Sequence, residues 1–338
     1  MNLEKILVIQ IKQLGDVLMC TPAIRSLKQK YPQCVIHVLT QSPSHQIFAQ
    51  NQHVDKVLLF PPGNPMLATM QLAYALYKEH YDGVIDFYNK PISAVLTWLS
   101  RSPLRLGYNR KGRSWAYTEK VSPKPNSLYS ADERIALLAP LKISSIDLSL
   151  DFPVVKTDRQ AAKRILSQLG YDPSRPLITL SPVSRRAYRI WPPEKFAQAA
   201  NRILAHTHGQ LLLLWGPGEK RFIEPLRRHL THADMGDYEP PTLAEMVAIF
   251  ELTDFHFGND NGPMHMAISA HCPTLTIIGQ SQLNNWVPPQ SDRHFGVEHD
   301  PGCKQNCTWP QCKVECLDVS VDQVVSKALD ILQSTSKT

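Results

Sequence analysis

The stretch 257–267 brings together residue types that can bind an anion. It reads Phe-Gly-Asn-Asp-Asn-Gly-Pro-Met-His-Met-Ala, so an apolar strand ends in a turn and a helix begins. Pro263 suits a first helical position, where its missing N–H is tolerated. The start of a helix presents unpaired N–H groups and the positive end of its dipole. The pattern therefore predicts a phosphate-binding site, with an ordinary Asp-capped turn as the alternative.

Basic residues cluster in two further places. Residues 101–113 interleave five basic side chains with Gly and Tyr, which suits a loop that grips an acidic group. The alternative is a solvated face without a ligand. The five are Arg101, Arg105, Arg110, Lys111 and Arg113. Three more arginines lie in a predicted loop at 181–191, at positions 185, 186 and 189.

Four of the seven cysteines lie close together near the C-terminus. They are Cys303, Cys307, Cys312 and Cys316, spaced x3, x4 and x3. Four thiolates can bind zinc or iron tetrahedrally, and such a metal is expected to be structural because all its ligand positions are filled. In a reducing compartment the alternative is four free thiols. The other three cysteines lie in apolar segments that predict buried thiols.

Several common catalytic motifs are absent from the sequence. Neither half has G-x-G-x-x-G after its first strand, and no G-x-x-x-x-G-K-[ST] loop or G-x-S-x-G elbow occurs. These absences argue against dinucleotide redox enzymes, P-loop nucleotide hydrolases and common serine hydrolases. There is also no D-x-D pair to hold a divalent cation on a diphosphate. The charge of a bound nucleotide diphosphate would have to be met by Arg, Lys and a helix end.

Length and composition indicate a two-domain globular protein. The chain has 338 residues, of which 43% are hydrophobic, and no stretch is long enough to span a membrane. The N-terminal apolar run is short and follows a Glu, which does not fit a signal peptide, so a cytoplasmic location is expected. The net charge of +6 favours an acidic partner but does not require nucleic acid.

Strands and helices alternate along both halves of the chain. Strands are predicted at 5–11, 35–39, 54–60, 83–87, 177–180, 211–215 and 275–278. Helices are predicted at 21–30, 66–78, 92–99, 132–141, 159–169, 193–206, 220–230, 243–250 and 322–332. This alternation predicts an α/β fold with parallel sheets. The polar turns fall at carboxyl ends of strands, where open parallel sheets bind ligands, so a cleft between two domains is expected.

The polar motifs, taken in order, resemble glycosyltransferase family 9, which includes the lipopolysaccharide heptosyltransferases. The opening of the chain carries Ile-Leu-Val-Ile at 6–9, Gly-Asp-Val-Leu at 15–18 and Thr-Pro-Ala at 21–23. The later matches are Arg189 before Trp191-Pro192, Gly216 followed by Glu219, and residues 258–267. The resemblance spans essentially the whole chain, and its last motif is the most specific.

The resemblance implies a GT-B fold, in which two Rossmann-like domains have parallel sheets facing an interdomain cleft. Residues 1–155 would bind the acceptor and residues 156–338 the sugar nucleotide, with a terminal helix that could pack back on the first domain. The implied reaction is an inverting, metal-independent transfer of heptose from ADP-heptose to an acidic lipopolysaccharide inner-core acceptor. No cofactor is implied for this reaction.

The resemblance also assigns roles to individual residues. Asp16 matches the general base, and a carboxylate beyond the end of a strand could accept the proton of an attacking hydroxyl. Arg189, at a position that is often Lys in the family, would stabilise the departing diphosphate. Glu219 would bind hydroxyls of the ribose or sugar. The group that would hold the pyrophosphate and sugar is Asp260, Asn261, Gly262, Pro263, Met264 and His265.

The acceptor side departs from the family in one place. Lys12 and Gln13 stand where some members have Ser or Thr, and Lys12 could bind a phosphate or carboxylate of an acidic acceptor. Together with Lys12, the expected acceptor-binding residues are Arg110, Lys111 and Arg113. A lipid-embedded acceptor implies transient contact with the inner face of the cytoplasmic membrane, without a visible anchor.

Two other functions fit the same residues. One is a family member that glycosylates a protein or another polysaccharide. The other is a sugar-nucleotide-binding protein that has kept the fold without activity, since fold alone does not settle function. The presence of Asp16 together with the donor motif favours an enzyme over a binding module.

Overall fold

The computed structural model describes residues 3–62, 65–123, 129–303 and 310–335 of the chain. The chain forms two compact units, Met1–Pro153 and Val154–Thr338. The division falls two residues before the boundary expected from the sequence. Each unit is an α/β structure built on one sheet. None of the helices in the described ranges combines the length and the apolar character needed to cross a membrane.

The first unit contains six parallel strands in the order β3-β2-β1-β4-β5-β6. The strands are β1 Lys5–Ile9, β2 Val35–Thr40, β3 Lys56–Leu59, β4 Gly83–Asp86, β5 Leu104–Tyr108 and β6 Glu119–Val121. The α-helices are α1 Leu14–Leu18, α2 Thr21–Lys30, α3 Pro65–Lys78, α4 Pro91–Leu99 and α5 Ser130–Leu137. Helices α2 and α5 contact each other, as do α3 and α4. Apolar side chains of α3 and α4 form a core with those of the central strands, such as Leu76 and Leu96 with Leu7 and Val84.

The second unit contains five parallel strands in the order β11-β10-β9-β7-β8. The strands are β7 Leu177–Ser181, β8 Gln210–Leu213, β9 Phe255–Asn259, β10 Thr274–Ile278 and β11 His294–Glu298. The α-helices are α6 Lys156–Gln168, α7 Pro193–Thr207, α8 Glu224–Arg227, α9 Leu243–Phe250, α10 Gly262–Ser269, α11 Leu283–Trp286 and α12 Val321–Thr335. The terminal helix α12 contacts α7 and buries Val324, Ala328 and Ile331 in the core of this second unit.

The strand orders locate one switch point in each sheet. In the first unit the chain winds outward in both directions from the pair β1 and β4, and in the second unit from the pair β7 and β9. Ligands of open parallel sheets bind beyond the carboxyl ends of such strands, because the following loops separate there. The segments that follow these strands contain Asp16 after β1, Arg189 after β7 and Asp260 after β9. The topology therefore singles out three of the residues predicted from the sequence.

Two sequence-based predictions of local structure are wrong. The basic run 101–113 is not one loop, since β5 occupies its middle. The helix predicted at 220–230 is a 3-10 turn at Lys220–Phe222 followed by the short α8, because Pro225 cannot donate the N–H that a continuous helix needs. Helix α2 begins at Thr21, as predicted, and the Thr21 hydroxyl donates to the carbonyl of Leu18.

Candidate active site

Asp16 lies in the short helix α1, directly beyond the carboxyl end of β1. Its side chain is 29% exposed, and its Oδ1 lies 3.2 Å from Nη2 of Arg134. Its Oδ2 lies 3.5 Å from the backbone nitrogen of Gln13, which begins the turn. The carboxylate is thus fixed by one strong partner and still reaches the surface, as a proton acceptor must.

Arg134 holds this carboxylate from helix α5. Its side chain is only 9% exposed, and its Nη1 donates to Glu133 Oε2 at 3.1 Å. Burial by itself would lower the pKa of the guanidinium, but the negative charges of Asp16 and Glu133 contribute to a pKa above the ordinary value. Arg134 therefore stays cationic and orients Asp16 through a charge-assisted hydrogen bond.

Glu133 connects this pair to the basic loop that follows β5. Its Oε1 lies 3.9 Å from Nη2 of Arg110, while Oε2 binds Arg134. Arg110 and Lys111 are both exposed, and Arg113 is half-buried. The structure therefore connects Arg110 of the predicted acceptor-binding loop to Asp16 through Glu133 and Arg134.

Two side chains complete the surroundings of Asp16. Tyr88 follows β4, and burial together with the charges of Asp16 and Asp86 raises the pKa of its hydroxyl. Cys20 is fully buried, which raises the pKa of its thiol to about 12 and keeps it neutral. Lys12, in the loop between β1 and α1, is exposed. A phenol and an amine therefore lie on the loops that follow the two switch-point strands.

In the second unit, Asp260 is the centre of a buried polar cluster. Its Oδ2 accepts hydrogen bonds from Arg189 Nη1 at 3.0 Å and Ser281 Oγ at 2.7 Å. Its Oδ1 lies 3.6 Å from Nε2 of His265. Burial alone would raise the pKa of this carboxyl, but His265, Arg189 and Ser281 together lower it. Asp260 is therefore an ionised carboxylate that positions Arg189, whose side chain keeps 26% of its surface exposed.

The turn before α10 is built by Asn261. Its Oδ1 accepts the N–H of Met264 at 3.1 Å, and its Nδ2 donates to the carbonyls of Ser181 and Val183. Pro263 has no N–H to offer a ligand, and the Met264 side chain is fully buried in the core. Both the side chain and the N–H of Met264 are engaged inside the protein, and its role in donor binding stays a prediction. Gly262 and the helix dipole remain as the features of this helix end that favour an anion.

Gly258 brings β9 against β7 and does not open space for a ligand. A Cβ at this position would lie 2.4 Å from Oγ of Ser181 and 2.5 Å from its carbonyl oxygen. The same Ser181 hydroxyl lies 3.1 Å from Nε2 of His256. Burial lowers the pKa of His256 to about 3, so this histidine is neutral. Its contact with Ser181 joins β9 to β7 at the switch point.

Glu219 closes the turn that follows β8. Its Oε2 accepts the N–H of Gly216 at 2.9 Å, and its own N–H donates to the Gly216 carbonyl. Gly218 in this turn has a φ of +78°, a conformation that L residues rarely adopt. The predicted donor-binding carboxylate is therefore anchored to its own loop through one oxygen.

A cavity of about 680 Å³ opens beside this turn. Trp215 and Tyr238 form one wall, with ring centroids 4.3 Å apart, and Pro217 and Pro240 also line it. Lys220 and Asp237, which form an ion pair, add polar groups at the cavity. Such a concave site with flat apolar walls and a few polar groups is typical of small-molecule binding.

The C-terminal cysteines are only partly covered by the described residues. Cys303 is exposed, Cys312 is half-exposed and Cys316 is buried, whereas Cys307 lies outside the described residues. Within the described ranges, no three His, Cys, Asp or Glu side chains are grouped as metal ligands. The three described cysteines thus do not form such a group by themselves, and the metal site stays a prediction.

Sequence reasoning did not find Arg134, Ser281 or the cavity beside Trp215. One signal for Arg134 was available, because it is three residues after Ala131 and four before Leu138, both fully buried. An arginine at that spacing lies next to the buried face of its helix and needs a charged partner. Ser281 and the cavity depend on contacts between segments, for which the sequence carries no local signal.

Two α/β units, each with charged side chains beyond the switch point of a parallel sheet, define a class of two-domain α/β proteins. Comparison with known proteins identifies the family within this class. The sequence profile of glycosyltransferase family 9 (heptosyltransferase) matches residues 69–317, well over half of the chain. The protein therefore belongs to glycosyltransferase family 9 and is a glycosyltransferase.

Individual relatives and solved structures agree with this assignment. Lipopolysaccharide heptosyltransferase 3 of Escherichia coli is 21% identical over 294 residues, which cover 81% of this chain and 83% of the relative. A glycosyl transferase family 9 structure from Veillonella parvula matches with a TM-score of 0.82 at 21% identity, covering 99% of both chains. The structure of E. coli ADP-heptose LPS heptosyltransferase II matches with a TM-score of 0.79 at 18% identity, covering 98% of this chain and 99% of that one. These similarities establish the GT-B fold.

Proposed function

We propose that this glycosyltransferase moves a heptose from ADP-heptose to a hydroxyl of an acidic lipopolysaccharide inner-core acceptor, with inversion at the anomeric carbon. One observation supports this proposal most directly. Asp16 lies at the switch point of the first sheet, is fixed by Arg134 and keeps its carboxylate partly exposed. The names of the relatives supply the sugar and the acceptor class.

In the proposed reaction the acceptor oxygen attacks the anomeric carbon while the bond from that carbon to the diphosphate breaks. The departing ADP takes the electron pair of the broken bond, and the hydroxyl proton passes to Asp16. A positioned general base of this kind contributes roughly 10² to 10⁴ in rate. The contact with Arg134 keeps the base in one orientation, so the proton transfer needs little reorganisation.

Arg189 would stabilise the negative charge that develops on the departing diphosphate. Its guanidinium is fixed by Asp260 through Nη1 and remains partly exposed at the carboxyl end of the second sheet. His265 and Ser281 share the charge of Asp260, so the arginine is not fully neutralised by its partner. Because charge stabilisation is supplied by Arg189 and a helix end, we propose that the transfer needs no divalent cation.

The cavity lined by Trp215 and Tyr238 would receive the planar base of the donor nucleotide. Glu219 lies at the start of the 3-10 turn that continues into Lys220, a residue lining this cavity, so one turn could reach both the ribose and the base. Aromatic walls favour a flat ring, and the ion pair of Lys220 and Asp237 offers polar contacts to its edge.

On the acceptor side, Lys12, Arg110, Lys111 and Arg113 would bind phosphate or carboxylate groups of the inner core. Arg110 is connected to Asp16 through Glu133 and Arg134, which places positive charge near the proposed base. A nucleotide-activated donor is available inside the cell, so we propose that the enzyme works in the cytoplasm at the inner face of its membrane.

Binding and transfer can be tested separately. A thermal-shift panel of ADP, UDP, GDP and CMP comes first, since a ligand at 100 times its Kd stabilises a protein by about 2.7 kcal/mol. We expect ADP to give the largest shift. Transfer from ADP-heptose to a deacylated inner-core acceptor is then followed by mass spectrometry. A larger shift with UDP or GDP would move the proposal to another donor sugar.

The Asp16→Asn variant separates the base from the binding site. We expect it to lose transfer by at least about 10²-fold while ADP still raises its melting temperature as in the wild type. Glu4→Gln is a matched control, since it removes an exposed carboxylate of the same unit outside the proposed site. Wild-type turnover of Asp16→Asn would reject the assignment of the base, and lack of transfer by the wild type with any acceptor would favour a binding protein.

A further inference from the structure

The first unit carries an outward-facing apolar surface that the proposed reaction does not use. Six large apolar or aromatic side chains of this unit are between 39% and 66% exposed. Soluble proteins rarely expose so many such side chains in one patch. They are Leu67, Met70, Tyr74 and Tyr77 on α3, Trp98 on α4, and Trp115 in the 3-10 turn Ser114–Ala116. We call these six residues the aromatic face.

Four residues of the aromatic face form a second apolar stripe on α3. The stripe that packs on the sheet contains Thr69, Ala73 and Leu76, all buried. The residues 67, 70, 74 and 77 recur at spacings of three and four and form an exposed stripe beside the buried one. A surface helix ordinarily carries polar residues on that side, so the outward stripe requires its own explanation.

The neighbouring elements extend this stripe into one surface. Helix α3 packs beside α4, and α4 packs beside the turn that contains Trp115. Trp98 and Trp115 meet edge to face, with ring centroids 5.9 Å apart. The indole N–H of Trp115 donates to the carbonyl of Gly112 at 3.0 Å, which fixes this ring against the basic loop.

Positive charge surrounds the aromatic face. Lys78 lies over the ring of Tyr74 at 4.6 Å, and the guanidinium of Arg101 lies over the ring of Trp98 at 5.1 Å. Exposed Arg110 and Lys111 lie on the loop that Trp115 contacts. Residues 65–115 contain seven Lys or Arg and three Asp or Glu.

The three acidic residues of this stretch do not offset that charge at the surface. Glu79 forms ion pairs with Lys5 and Lys56. Asp82 accepts the backbone N–H groups of Glu4 and Lys5, and Asp86 is fully buried. The surface around the aromatic face is therefore basic, and its complement is a partner with a negative charge and an apolar interior.

We propose that the aromatic face docks the enzyme on an anionic lipid bilayer. Tyr and Trp rings favour the depth of the lipid headgroups, Leu and Met reach the first part of the acyl region, and Lys and Arg bind the acidic headgroups. Helix α3 would lie in the plane of the surface, since its other side packs on the sheet. The inference rests on the proposed function in one respect, that a membrane-embedded acceptor gives such docking its use.

The proposal is tested first without any substrate. Sedimentation with vesicles of phosphatidylethanolamine and phosphatidylglycerol is compared with vesicles of phosphatidylcholine alone. We expect binding to the anionic vesicles, weakening when salt rises from 0.1 M to 1 M and the screening length falls from about 10 Å to about 3 Å. Binding to neither vesicle would overturn the proposal.

Substitutions then locate the surface. Met70→Gln with Tyr74→Gln should lower the partition into anionic vesicles at least about tenfold, because two apolar side chains are withdrawn from the bilayer. The matched control, Ile146→Gln with Phe222→Gln, removes two exposed apolar side chains elsewhere and should bind as the wild type does. Equal binding by both double variants would reject this face as the docking surface.

Two further measurements separate this inference from the proposed function and from self-association. The α3 double variant should keep wild-type kcat on a deacylated, water-soluble acceptor and lose turnover on an acceptor embedded in vesicles. If the wild type transfers heptose but does not bind vesicles, the proposed function stands and the docking proposal fails. If it binds vesicles but transfers no sugar, the docking proposal stands and the proposed function fails. If sedimentation velocity shows a dimer that the α3 double variant dissolves, a second copy covers the face and the membrane proposal fails.

Discussion

At the scale of single residues, the pair Asp16 and Arg134 divides one task between two side chains. Asp16 is the exposed member that can take a proton, and Arg134 is the buried member that fixes its position. Arg134 contacts Asp16 and Glu133 from a buried position, so we expect it to act by positioning the base. The two residues should therefore respond differently to substitution.

We expect Arg134→Ala to lower kcat by about 10²-fold or less, because the base remains present but loses its orientation. Arg134→Lys should retain more activity, since it keeps the charge without the planar geometry. Adding guanidinium to Arg134→Ala should restore part of kcat and none of the activity of Asp16→Asn. No restoration in either variant, together with a lowered melting temperature, would indicate that Arg134 only stabilises the fold.

Arg189 and Asp260 form a comparable pair in the second unit, with the exposures reversed. Asp260 is nearly buried, and Arg189 is the member that reaches the surface. We expect Arg189→Ala to lower kcat by about 10² to 10³, as the loss of a group that stabilises developing negative charge does. The kcat of Arg189→Lys should fall less, because the positive charge is retained. A change confined to the KM for the donor would mean that Arg189 binds the ground state only.

At the scale of elements, Asp86 shows how a loop after a strand is stabilised. It ends β4 and is fully buried, with its Oδ2 accepting from the Tyr117 hydroxyl at 2.7 Å and its Oδ1 from the Asn89 N–H at 2.9 Å. Burial raises the pKa of this carboxyl from 3.8 to about 6, although both hydrogen bonds oppose the rise. The folded state therefore binds a proton more tightly than the unfolded state does.

This difference predicts a pH dependence of stability. Because the folded pKa is the higher one, the contribution of Asp86 becomes less favourable as pH rises from about 4 to about 6 and is constant above that. The change is on the order of 3 kcal/mol for a shift of this size. The free energy of unfolding of Asp86→Asn, measured with urea across this pH range, should not show this decline. Parallel curves for the variant and the wild type would show that Asp86 titrates normally.

Tyr117→Phe tests the same element from the other side. The variant removes the hydroxyl that donates to Asp86, so the ionised carboxylate loses a partner and its pKa should rise further. The decline in stability should then extend above pH 6. Thr118→Val changes a neighbouring exposed hydroxyl that does not contact Asp86 and serves as the control.

The elements that could be predicted from the sequence are those with uninterrupted apolar runs. Strands β4, β7 and β10 are buried throughout, and their predicted bounds differ from the observed ones by one residue at most at either end. Strands β6 and β11 lie at sheet edges, where half-exposed residues give no apolar run, and both were missed. Strand β5 was also missed, because Arg105 and Gly107 interrupt its apolar run.

Gly107 illustrates why β5 could not be predicted. A Cβ there would lie 2.4 Å from the ring of Tyr117, so the glycine is required by a contact with another segment. The candidate site divides in the same way. Asp16, Arg189 and the stretch around Asp260 lie in local motifs, and sequence reasoning found them. The pairings of these side chains did not follow from the sequence, since Arg134 is 118 residues from Asp16 and Asp260 is 71 residues from Arg189.

At the scale of the whole molecule, the proposed reaction would use positively charged side chains in place of a metal ion. The chain has 36 Lys or Arg against 30 Asp or Glu, and no D-x-D pair. Arginines lie on the loops beyond the sheets of both units, at 110 in the first and at 189 in the second. A diphosphate and an acidic acceptor can both be met by such side chains, without a divalent cation between them.

We therefore expect a chelator to leave the initial rate of heptose transfer unchanged, and added Mg²⁺ to leave it unchanged as well. The melting temperature is measured in the same samples, together with the zinc and iron content of the protein. A lowered melting temperature with an unchanged initial rate would assign a structural metal to the four C-terminal cysteines, and Cys303→Ser should then reduce the metal content. A rate that falls with the chelator and returns with Mg²⁺ would contradict metal-independent transfer, and the role of Arg189 would have to be shared with a cation.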